Sequence, residues 1–155
     1  VGKPAPPDHL LLIQGPLGLD WGRRRYGLIP RIENAAITGR REASVRRLQM
    51  WLKAGVHVAG RPEWIFVKLH THGCKPANMA TLLGPEMQQF HADLATWAAE
   101  RPNVRYHYVT AWEMAELVHA AESDGRVEDV LATAPRRTGE SPRSLSPVEL
   151  KPTGV

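Results

Sequence analysis

Four consecutive apolar residues, WIFV at 64–67, run without a break into KLHTHG. A run this short, rich in β-branched and aromatic side chains and closed by glycine, has the length of a strand and not of a helix. Apolar residues on both sides of the pleat predict a buried strand, covered on both faces as in the parallel sheet of an α/β domain. Ile65, Val67 and Leu69 then face one way, and Trp64, Phe66, Lys68 and His70 the other. Functional groups in such sheets gather at the C-terminal ends of the strands. The segment therefore delivers His70 and His72 to the place where a site is expected.

The flanks read as alternating strands and helices. HLLLIQG at 9–15 is a short apolar run closed by Gly-Pro, again of strand type. Residues 16–42 hold Gly22, Gly27, Pro30 and Gly39, so turns are frequent there, with a short strand placed around 26–29. Residues 43–54 predict a helix with Val45, Leu48, Trp51 and Leu52 on its apolar side and Gly55 as its stop. Residues 85–100 predict a second helix, opened by Pro85 and Glu86, with Met87, Phe90, Leu94 and Trp97 as its stripe. NVRYHYV at 103–109 reads as a strand. Thr110 and Glu113 then form a capping box for a last helix, striped by Met114, Leu117, Val118 and Ala121. This order predicts an α/β fold built of parallel βαβ units. Three strands are few for such a sheet, so its remainder is expected upstream of Val1.

Residues 1–8 are Pro-rich and read as a cut end or linker, and the chain opens without an initiating Met or a signal-peptide pattern. The domain is expected over 9–123. Residues 124–155 spread Pro135, Pro142, Pro147 and Pro152 among Ser, Thr, Arg and Gly, which predicts a disordered tail. No apolar run approaches the ~20 residues of a membrane span. The net charge is +4, with arginine clustered at 23–25, 40–41, 46–47 and 136–137. Nucleic acid is not the expected partner, because no helix gathers these arginines on one stripe and no aromatic residues interleave to stack bases. The single cysteine, Cys74, excludes an intrachain disulfide and a Cys-rich zinc site, and reads as a small loop residue.

His70-Thr71-His72 is the sharpest chemical feature. Residues two apart on an extended chain point to the same side. Two imidazoles at a strand mouth suit metal ligation or acid–base work. A zinc or similar ion needs at least one further ligand. Asp20, Glu33 and His57 are the candidates, with Asp20 placed near the same mouth by its position after the first strand. Lys68, on the same face, needs a carboxylate partner or a polar lumen, because burying it alone is costly. His91, His107 and His119 read as boundary or structural residues.

The order WIFVKLHTHG, helix, VRYHYVTAWEMAEL resembles the C-terminal end of the polysaccharide deacetylase domain (the NodB-homology, carbohydrate esterase family 4 type). In that family a leucine-bearing strand closes on a functional histidine, matched here by VKLH through His70. A helix follows, and then a strand running into a Val-Thr-x-x-Glu helix start, matched by 109–114. Asp20-Trp21 is similar to the family's Asp-Trp motif. The resemblance covers about 9–122 and is strongest over 61–118. It implies a partial parallel (β/α) barrel of the glycoside hydrolase/deacetylase kind, a divalent metal such as zinc, and an acetylated glycan as substrate. It also implies a catalytic role for His70 as proton donor to the leaving amine. The chain departs from the family in three places. The paired-aspartate motif and the His-x-x-x-His metal motif do not occur in these 155 residues, and the usual aspartate after the motif histidine is Thr71. The chain alone is therefore expected to be inactive. Two other readings compete: an amidohydrolase or PHP-type hydrolase binding metal through His70-x-His72, and a non-catalytic basic α/β module that binds polyanions.

Overall fold

The computed structural model describes residues 11–73 and 75–133. Two strands come first, β1 (Gly18–Arg25) and β2 (Ile29–Glu33). Five helices follow: α1 (Val45–Ala54), α2 (Pro76–Leu83), α3 (Pro85–Ala99), α4 (Ala111–Glu122) and α5 (Val127–Thr133). Among the described residues the assigned sheet is this antiparallel β1–β2 pair. The expected parallel (β/α) barrel is not formed. The segments at 11–15, 64–70 and 103–109 are not strands of any sheet. Among the described residues, parallel pairing is limited to one isolated bridge, Ala36 with His70.

The physical reason lies in how little of the WIFV run is covered. Phe66 is buried, but Ile65 and Leu69 stay 38% and 39% exposed, and Lys68 and His70 are exposed as well. A strand deep in a parallel sheet needs neighbours and helices on both faces. Here the two sides of the segment are divided between two small cores. Val67 packs on the first, formed by Ala35, Ile37, Leu48, Trp51, Phe90 and Leu94, where Trp51 meets Phe90 edge-on at 6.2 Å. Trp64 and Phe66 belong to the second, with Leu117 and Val118 of α4 and apolar side chains of α5. The predicted alternation of facing holds for these three residues. Lys68 needs no buried partner, because it lies in solvent.

The helices follow their sequence signals closely. Ser44 caps α1 by accepting the Arg47 amide, and Gly55 ends it in the left-handed region at φ 59°. Thr110 and Glu113 form the expected capping box, with the Thr110 amide donating to Glu113 at 2.6 Å and the Glu113 amide donating to Thr110 at 3.2 Å. Two short helices, α2 and α5, lie where none was expected. α5 lies within the first ten residues of the stretch read as a tail; residues 1–10 and 134–155 lie outside the described residues.

The β1–β2 hairpin also departs from expectation. Residues 26–28, placed within a short strand by the sequence, form its turn. Tyr26 and Gly27 both take left-handed φ, 54° and 74°, the geometry that matches the right-handed twist of a hairpin. Register breaks between Asp20 and Arg24, so residues 21–23 bulge out of the ladder.

Candidate functional site

The hairpin is anchored by carboxylates. Asp20 lies on β1 and is 2% exposed. Both its oxygens accept from Arg46 of α1, each at 2.8 Å, and one also accepts the Gly22 amide. The hydrogen bonds from Arg46 outweigh burial and bring the Asp20 carboxyl down to about 2. Glu33, at the end of β2, is equally buried. Its carboxylate accepts from Arg47 Nε at 2.9 Å and Nη2 at 2.7 Å, from Arg41 at 3.2 Å, from the Trp51 indole at 3.1 Å and from the Ala35 amide at 2.8 Å. Burial pushes the Glu33 carboxyl up, but bonds from Arg47, Trp51 and Ala35 prevail and set it at about 2. Arg47 spends its remaining donors on the carbonyls of Ala36, Arg41 and Glu42. A buried guanidinium of this kind is stable only when all its donors are satisfied.

This cluster positions His70. Glu33 holds the Ala35 amide, and Ala35 is fully buried with a left-handed φ of 59°, a strained conformation for a residue with a Cβ. The His70 amide donates to the Ala35 carbonyl at 3.4 Å, and the Ile37 amide donates to the His70 carbonyl at 2.8 Å. The backbone of His70 is thus fixed on both sides while its side chain stays exposed. Beyond it, buried Asn78 of α2 receives the Gly39 amide at 3.2 Å and donates to the His72 carbonyl at 2.9 Å, tying the loop after His70 to the turn at Gly39. A groove of about 380 Å³ opens beside this loop, with Thr71, His72, Lys75, Met79, Leu82 and Leu83 among its walls. The Thr71 hydroxyl is buried there without a hydrogen-bond partner.

The sequence-predicted residues are therefore divided. His70 and His72 are both exposed at the end of the 64–70 segment, which is not the mouth of a parallel strand. Asp20 does not join them as a free carboxylate; it serves Arg46. Glu33 serves Arg47, and His57 is exposed with its ring bonded to the Gly55 carbonyl. Among the described residues no group of three or more His, Cys, Asp or Glu side chains is placed to hold a metal ion. Cys74 lies outside the described residues. His91, read as a boundary residue, bonds the Tyr108 hydroxyl at 2.6 Å and meets its ring edge-on. Burial, with Tyr106 nearby, pushes the Tyr108 hydroxyl up to about 12.

Searches against family models, curated proteins and solved structures return no match. The site is consequently read from its own geometry. The residues that sequence reasoning missed are Arg46 and Arg47. A signal was present: Arg47 stands four residues before Trp51 and beside Leu48, on the buried side of α1, where a charge must be paired. No helix among the described residues is long and apolar enough to cross a membrane.

Proposed function

We propose that the chain supplies the proton-donating side of a glycan deacetylase site, with His70 as donor and an acetylated sugar as the substrate class. One observation supports this above others: an exposed imidazole sits on a backbone clamped to Ala35 and Ile37. A general acid must be held in place while its proton stays accessible, and rigid backbone with a solvent-facing ring meets both needs. His72 follows on the same loop and lines the adjacent groove. The resemblance of 64–70 and 109–114 to deacetylase motifs supports the choice of reaction. The described residues hold no set of metal ligands, so on this reading the group that polarises the acetyl carbonyl is held elsewhere. The 155-residue chain then binds acetylated glycan without turning it over.

The test uses NMR of the imidazole side chains in the 155-residue chain. Acetylated chito-oligosaccharide shifts the His70 and His72 resonances, the fully deacetylated oligomer does not, and no acetate is released. Silence of both rings toward the acetylated oligomer sinks the reading. Stoichiometric zinc binding that disappears in His72→Ala would instead favour the amidohydrolase-like alternative. In a longer polypeptide that carries metal ligands, His70→Ala lowers kcat by roughly a hundredfold or more with KM little changed.

A further inference from the structure

The hairpin has its polarity reversed. Its two carboxylates, Asp20 and Glu33, are its buried side chains, while its large apolar residues face solvent. Leu19 and Ile32 are register partners and are 55% and 61% exposed. Exposure rises toward the turn, to 77% at Tyr26 and 80% at Leu28. Around this apolar tip stand Arg23, Arg24, Arg25 and Arg31, all exposed. Arg24 lies over the Trp21 ring at 5.9 Å and Arg25 over the Tyr26 ring at 4.9 Å. The hairpin thus presents four cations and no exposed anion, because both its acids are consumed inside by α1.

We infer that the β1–β2 hairpin is a docking surface for an anionic lipid bilayer, entered tip first. The charge selects the occupant. A second copy would set arginines against arginines. A nucleic acid would meet the cations but leave Tyr26, Leu28 and Ile29 in water. An anionic bilayer surface answers both: its headgroups take the guanidinium groups, and the boundary below them takes Leu28 and Ile29, with the Tyr26 ring at the level where phenol rings concentrate. The left-handed turn at 26–27 leaves Tyr26 and Leu28 the most exposed of the hairpin's large apolar residues.

Co-sedimentation of the full 155-residue chain with vesicles tests this. The chain binds vesicles of phosphatidylcholine mixed with phosphatidylglycerol and does not bind phosphatidylcholine alone. Replacing Arg23, Arg24 and Arg25 together by Gln weakens binding roughly a hundredfold, as three lost contacts at an anionic surface predict. The tip variant Tyr26→Asn with Leu28→Ser keeps every charge, and Asn tolerates left-handed φ. It too loses most of the binding, with an unchanged circular dichroism spectrum. Failure of the wild-type chain to bind anionic vesicles overturns the inference. So does a tip variant that binds as well as wild type, or single-stranded DNA that competes the chain off vesicles and binds the tip variant undiminished; these results would mark the arginines as a polyanion site.

Discussion

Two pairs of ionisable residues divide the molecule. Asp20 and Glu33 are each 2% exposed and saturated by arginine; His70 and His72 stand in solvent on a fixed backbone. The carboxylates were sequence candidates for chemistry, yet they hold the hairpin to α1. The histidines make little contribution to the core and are available to a ligand. A charge that is buried and fully bonded is committed to the fold, whereas a reactive group needs its backbone fixed and its side chain free.

The sharpest way to break this contrast is Glu33→Gln. It leaves Arg47 buried beside a neutral amide, and the expected loss is about 3–5 kcal/mol of unfolding free energy by urea denaturation. A loss under about 1 kcal/mol would show that the cluster does not anchor the fold. Acid probes both carboxylates at once. Their folded values, about 2, lie below the ordinary 3.8 and 4.5, so their stabilising contribution is complete above pH ~4.5. It is lost as pH falls toward 2, and Tm should decline through that window; in Glu33→Gln the decline is shallower. Asp20→Asn costs less, about 1 kcal/mol, because Arg46 keeps 50% of its side chain in water and is not left stranded. Smallest of all, His70→Ala and His72→Ala shift stability by no more than about 0.5 kcal/mol, while removing the NMR response to acetylated oligomer. A large stability loss in either would place the histidines with the carboxylates and end the contrast.

The legible parts of the sequence were those with local signals. Gly55 stops α1, Thr110 and Glu113 box the start of α4, and Phe90 and Leu94 are the buried stripe of α3. The apolar run at 64–67 points to a covered parallel strand, and the barrel is what the resemblance adds; composition cannot tell a covered strand from a segment whose Ile65 and Leu69 remain a third exposed or more. The helix α2, PANMATLL, is too short to show a period. The hairpin hid for a different reason. Pattern reading assigns apolar residues to the inside, and here Leu19 faces out while Asp20 faces in. At the candidate site, the sequence places His70 and His72 two positions apart after the apolar run, but the parallel strand end expected to present them is not formed. The commitment of Asp20 and Glu33 was not legible, because it depends on arginines more than ten positions away in the chain.

The reversed polarity of the hairpin also sets an order of assembly. A two-stranded ribbon without an apolar inner face is unstable by itself. Dehydrating Asp20 and Glu33 before the guanidinium groups arrive is unfavourable. The ribbon therefore closes only as the first turns of α1 dock, since adjacent residues of that helix grip one strand each. Hairpin and helix form and open as one cooperative unit, so the exposed tip keeps its shape for as long as that helix stays wound.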